Sequence, residues 1–168
     1  HWLKELPGNY SAVYQDFEND IYYGLMQGRD RMKRVSILKV ITLSSSLYGS
    51  IISSGVERFC TENDIPFQFM ESAPEDINPN DAFLILSSQL DSGLAALARN
   101  IKAKKLEVGK DVFIISYNEF DLCEVVMNGL TTVSADFKQM GKQVAEFIRN
   151  RNISKVHCDF SMTRRASF

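Results

Sequence analysis

The chain alternates between short, wholly apolar runs and longer stretches whose apolar residues recur every three or four positions. Residues 11–14 (SAVY), 35–43 (VSILKVITL), 66–70, 82–86 (AFLIL), 112–116 (VFIIS) and 130–133 (LTTV) favour strands, and 156–162 is a weaker last one. Between them, Phe17, Ile21 and Leu25 lie along one helical face behind a possible Asp16 cap, and Gly28 ends that helix. Ile52, Val56 and Phe59 stripe a second helix over residues 51–63. Ser88 can cap a third that carries Leu90, Leu94, Leu97 and Ile101. Asp136 and Gln139 have capping-box spacing ahead of a stripe of Phe137, Met140, Val144, Phe147 and Ile148.

Several strands are apolar on consecutive rather than alternate positions, the mark of a sheet covered on both faces. With helices between them, the pattern predicts an α/β fold: an open parallel sheet flanked by helices. The rhythm breaks over residues 121–129, where the chain is expected to cross to a second lobe.

Composition narrows the function. In 168 residues, 45% are hydrophobic, and 11 Phe, 6 Tyr and one Trp supply ample core. No apolar run approaches the 18 or so residues of a membrane span, so no membrane partner is expected. A net charge of −2 argues against a nucleic-acid footprint on this chain. Three cysteines without CxxC spacing fit a reducing compartment, and a cytoplasmic location is expected.

No nucleophile elbow, dinucleotide or Walker loop, or metal spacing occurs, so neither enzyme activity, cofactor nor metal is expected. His157 and Cys158 are neighbours on a strand and point to opposite faces, so His157 is read as a surface or packing residue. The basic run RDRMKR (29–34) reads as a solvated connection, and the RRAS tail (164–167) as a chance match to a kinase site.

Open parallel sheets bind ligands beyond the carboxyl ends of their strands. Those positions hold Tyr14-Gln15-Asp16, Ser44-Ser45-Ser46, Ser87-Ser88-Gln89 and Tyr117-Asn118-Glu119. The same residue types are good helix caps. As a set, neutral hydrogen-bonding groups beside an aromatic ring suit a polyhydroxylated small molecule such as a sugar.

Residues 111–148 (DVFIISYNEFDLCEVVMNGLTTVSADFKQMGKQVAEFI) resemble the effector-binding domain of the lactose/galactose-repressor family. The matching features are the Ser116-Tyr117-Asn118 turn, the Leu130-Thr131-Thr132 strand, and Asp136-Phe137 ahead of Met140-Gly141 and Ala145. The block AFLILSSQLDSGLAAL, the closing TRRASF, and Gly55 with Val56 in place of the usual aromatic are similar as well. The wording ISYNE with SADF is most similar to bacterial regulators that join a gluconate-repressor-type (GntR) winged helix to this periplasmic-binding-protein-like domain.

The resemblance implies a type I lobe with an incomplete second lobe. Residues 10–120 would be mainly the C-terminal lobe, and 130–168 the crossover, returning helix and last strand. It further implies a homodimer that senses a small-molecule effector, a sugar in kind, and reaches DNA only through a separate N-terminal domain outside residues 1–168. A periplasmic sugar-binding component of a transporter is the alternative, and an α/β enzyme is less favoured. Tyr14, Gln15, Asp16, Ser45, Ser88, Gln89, Asn118 and Asp136 are the expected ligand contacts. Ser88 and Asn118 stand where the family often has Asp, and Ile52 where several members have Arg. The apolar face of Phe137, Val144 and Phe147 is expected to be covered by another chain or rearranged.

Overall fold

The computed structural model describes residues 8–43, 47–86 and 90–168. In chain order they form β1 (Ala12–Tyr14), α1 (Phe17–Met26), α2 (Arg29–Met32), β2 (Ile37–Ile41) and α3 (Leu47–Glu62). There follow β3 (Phe67–Met70), β4 (Asp81–Ile85), α4 (Leu90–Ala103) and β5 (Phe113–Tyr117). Two 3-10 turns, Asp121–Glu124 and Val126–Asn128, lead to β6 (Thr131–Ala135), α5 (Phe137–Asn150), β7 (Lys155–His157) and β8 (Phe160–Thr163).

The main sheet has the order β3-β2-β4-β5-β6-β8. Five strands run parallel, and β8 closes the edge antiparallel to β6. The apolar runs follow from cover on both faces. In β4, Ala82 and Leu84 face a core shared with Ile21 and Leu25 of α1 and Val56 and Phe59 of α3. Phe83 and Ile85 face the opposite core, with Leu94, Leu97 and Ile101 of α4. The edge strands β3 and β8 alternate or lie half-open, as one-sided cover requires.

The two helices on the first face meet at Gly55. A Cβ there would stand 2.2 Å from the Glu18 carbonyl oxygen and 2.5 Å from Ile21 Cγ2. Only glycine admits this approach of α3 to α1.

Two expectations are corrected. Residues 121–129 do not cross to a second lobe: β5 and β6 are neighbours in one sheet. The irregular stretch instead caps the second core, with Cys123 and Leu130 buried and Phe120, Val126 and Met127 packed on it. Residues 156–162 are not one strand. They split into β7 and β8, which belong to different sheets.

The crossings lie elsewhere. β1 and β7 form a small parallel sheet, with Tyr14 in register with His157. Helix α5 packs on β1 and none of its residues is buried. The chain passes between the small unit and the main sheet three times: at residues 15–16, at Asp136 and at residues 158–159. Backbone hydrogen bonds stitch these passes together. Cys158 N donates to Tyr14 O at 2.8 Å and Asp136 N to Asp159 O at 2.9 Å.

Candidate functional site

The carboxyl ends of β1, β2, β4, β5 and β6 point toward the three crossings, as parallel topology dictates. Each element delivers a particular residue there. Strand β1 ends on Tyr14, whose ring lies 5.6 Å from that of His157. Gln15 and Asp16 form the first crossing. Asp16 caps α1, accepting hydrogen bonds from Asn19 N at 3.5 Å and Asn19 Nδ2 at 2.7 Å. Asp136 opens α5, with one carboxylate oxygen accepting from Gln139 N at 2.8 Å. The capping reading of both aspartates therefore holds, whatever else they contact.

At the tip of β5, Asn118 takes a left-handed backbone conformation, with φ of 74°. Asparagine tolerates this better than most residues. Its amide donates to Val133 O at 2.8 Å, and Ser116 Oγ donates to its carbonyl at 3.2 Å. The adjacent Glu119 is already engaged. It receives Arg165 Nη2 at 2.7 Å and Nη1 at 3.2 Å, together with the Thr132 hydroxyl. Arg165 also holds Leu130 O at 2.8 Å, so this forked pair ties the chain's last residues to the sheet. Ser45, Ser88 and Gln89 lie outside the described residues.

Among the described residues, five side-chain polar atoms are sealed from solvent without a hydrogen-bond partner: Gln15 Nε2, Thr42 Oγ1, Tyr117 Oη, Asn118 Oδ1 and Gln143 Oε1. Such atoms cost about 1–3 kcal/mol each, and proteins rarely keep them without a use. Four of the five stand at a crossing or a strand tip. Thr42 follows β2, Tyr117 ends β5, Asn118 follows it and Gln15 follows β1.

Two residues that the sequence did not assign to the site link the crossings. Asp20, one turn into α1, is 3% exposed. One of its oxygens accepts from Asp16 N at 2.9 Å, and the other lies 2.6 Å from His157 Nε2. Burial raises the Asp20 carboxyl above the ordinary carboxylate value, and the His157 ring partly offsets this. The sequence signal was faint: a carboxylate four residues after the Asp16 cap, beside the buried Ile21. His157, read as a surface or packing residue, is half-exposed and also partners a buried carboxylate.

The remaining candidate chemistry is structural. All three cysteines are unpaired and buried, and burial pushes the Cys60 thiol up to about 12. Ser167 is fully buried, donating to Ile114 O and accepting from Thr131 N, both at 2.7 Å, so the RRAS serine is a core residue. In the basic run, Arg31 donates to Phe168 O and Asp30 pairs with Arg164 at 2.6 Å. Among the described residues no cluster of His, Cys, Asp or Glu could hold a metal ion, and no helix is long and apolar enough to cross a membrane.

This α/β architecture is shared by known proteins. The profile of the periplasmic binding protein-like domain matches residues 50–157, well over half of the chain. The chain belongs to this family. Comparison with curated proteins returns no match. Among solved structures, a transcription regulator like protein from Staphylococcus haemolyticus superposes with a TM-score of 0.72 at 15% identity, over 97% of this chain and 63% of that one. The Escherichia coli transcriptional repressor ascG gives 0.69 at 11% identity, over 93% and 63%. A periplasmic binding protein/LacI transcriptional regulator from Alkaliphilus metalliredigens, complexed with D-xylulofuranose, gives 0.67 at 17% identity, over 95% and 66%.

These likenesses establish the fold: the periplasmic-binding-protein-like type I architecture expected from the sequence, with structural matches to LacI-family regulators. The chain spans about two-thirds or less of the length of these structures.

Proposed function

We propose that this periplasmic binding protein-like domain is the ligand-sensing part of a transcription regulator and that it takes a neutral, hydroxyl-bearing effector such as a sugar. The observation that carries the reading is that residues with unpartnered amide or hydroxyl groups stand at the first crossing and at the strand tips: Gln15, Thr42, Tyr117 and Asn118. An amide N–H needs an acceptor and an amide oxygen needs a donor, and a hydroxyl supplies both. Glu119, beside Asn118, is neutralised by Arg165, and Asp16 and Asp136 each spend a carboxylate oxygen as a helix cap. The sugar held by the Alkaliphilus protein supports this ligand class.

In this reading Tyr14 offers a ring face, while Gln15, Asp16, Asn118 and Asp136 offer hydrogen bonds. Ser45, Ser88 and Gln89, outside the described residues, complete the proposed contact set. The effector bridges the main sheet and the small unit, and the three crossings act as the hinge. A gluconate-repressor-type winged helix, joined N-terminally in a cytoplasmic homodimer, would convert closure of the hinge into a change in DNA affinity. Residues 10–120 supply mainly the C-terminal lobe. The segment 130–168 supplies the crossover, the returning helix and the last strand.

The test is a thermal-shift screen of the full-length protein against neutral mono- and disaccharides and their phosphates. A binder present at a hundred times its Kd adds about 2.7 kcal/mol of stability. One or more neutral sugars are expected to raise the melting temperature. A panel in which only phosphorylated sugars do so overturns the neutral-effector reading.

A further inference from the structure

The three crossings are joined mainly by backbone hydrogen bonds, and among the described residues Asp20 and His157 add a side-chain pair that spans the two units. Asp20 belongs to α1, on the main sheet. His157 ends β7, in the small sheet. The carboxylate is fully used: one oxygen holds the Asp16 amide at 2.9 Å and the other meets His157 Nε2 at 2.6 Å. The Asp20 side chain is 2% exposed, whereas the His157 side chain is 44% exposed.

A carboxylate this buried is costly unless its oxygens are matched by donors. His157 supplies one donor and the first crossing supplies the other. The imidazole in turn lies against the Tyr14 ring, one strand over in register. Asp16, Tyr14, Tyr117 and Cys158 are the other titratable groups near the pair.

We propose that Asp20 and His157 are positioning residues of the effector site: Asp20 fixes the Asp16 backbone and, through His157, the Tyr14 ring, so that the first and third crossings hold one geometry. The inference rests on the reading of the crossings as an effector cleft for its purpose. It does not need a ligand for its test. The pair acts on the hinge and leaves the main sheet to its own cores. A donor at the reach of Nε2 is what position 157 must provide.

The experiment is amide hydrogen exchange on the full chain, comparing wild type, His157→Ala and His157→Gln. The reporters are Asp16 N–H, bound to Asp20, and Cys158 N–H, bound to Tyr14 O. Leu86 N–H, on Ile41 O, and Ile114 N–H, on Ser167 O, report on the main sheet. Losing a hydrogen bond to a charged group should speed exchange at Asp16 and Cys158 by about tenfold or more in H157A. Leu86 and Ile114 should be unchanged, and H157Q should restore most of the protection. The proposal is overturned if H157A leaves Asp16 and Cys158 as in wild type, if all four amides accelerate together, or if H157Q is no better than H157A. Should hinge protection follow residue 157 while no sugar shifts the melting temperature, the positioning pair stands and the effector reading falls.

Discussion

At the scale of single residues, two buried carboxylates do different work. Asp81 opens β4 and pairs with Lys39 of β2 at 2.7 Å, with side chains 3% and 9% exposed. It also accepts from Asn78 N at 2.9 Å. Asp81→Ala strands an ammonium in the sheet, and urea denaturation should register a loss of about 3–5 kcal/mol. Asp20 carries a raised native value, because burial outweighs the His157 ring. A raised carboxyl binds its proton more tightly when folded. Its contribution to stability is therefore full below the ordinary value of 3.8 and is lost as pH rises through the native one. Removing the ring takes away a lowering influence. In H157A the Asp20 carboxyl should titrate higher still, as carboxyl-carbon NMR would show, and the loss of stability should run to higher pH. The helix caps Asp16 and Asp136 were legible in the sequence, because a cap depends on the next three residues. The Asp20–His157 pair was not: 137 residues separate its members, and no local spacing marks it. Thr42 was hidden for a related reason, since a lone polar atom at a strand tip declares itself only when its surroundings are known.

At the scale of elements, the apolar runs foretold β2, β4 and β5 because those strands are covered twice. Local pattern failed where tertiary context decides. Residues 156–162 read as one strand, yet Cys158 and Asp159 carry the chain from one sheet to another. Residues 121–129 read as a crossing because irregular backbone resembles a linker, whereas Cys123 and Leu130 anchor it in the second core. Helix α5 has the strongest stripe in the sequence and the least cover. Phe137 is 48% exposed, Val144 42% and Ile148 75%, with Phe147 half-buried. A groove of about 410 Å³ runs beside it, lined by Tyr10, Val13, Val144, Phe147, Ile148 and Ile153 among others. Val144→Lys and Ile148→Lys should each change the unfolding free energy of this chain, read by urea denaturation, by no more than about 0.5 kcal/mol, since neither side chain is buried. The same is not true of α3. Gly55→Ala drives a methyl into the α1 backbone, and calorimetry should show a loss of about 1–3 kcal/mol, with the melting temperature down by several degrees.

At the scale of the whole molecule, one mostly parallel sheet and a small satellite sheet meet at three chain crossings. The strand tips bring Tyr14, Gln15, Tyr117 and Asn118 to that junction from opposite ends of the sequence. Parallel topology made the shared edge of the strand tips readable in advance, because parallel strands end on one side of the sheet. Which polar atoms lack partners is a property of the assembled fold. The most direct measurement follows the side-chain amide signals of Gln15 and Asn118 by ¹⁵N NMR as a neutral sugar that stabilises the protein is added to saturation. The account predicts that these two signals move most, with Arg31 and Arg34 at the far end of the sheet unmoved. A sugar that binds while both signals stay in place would contradict it.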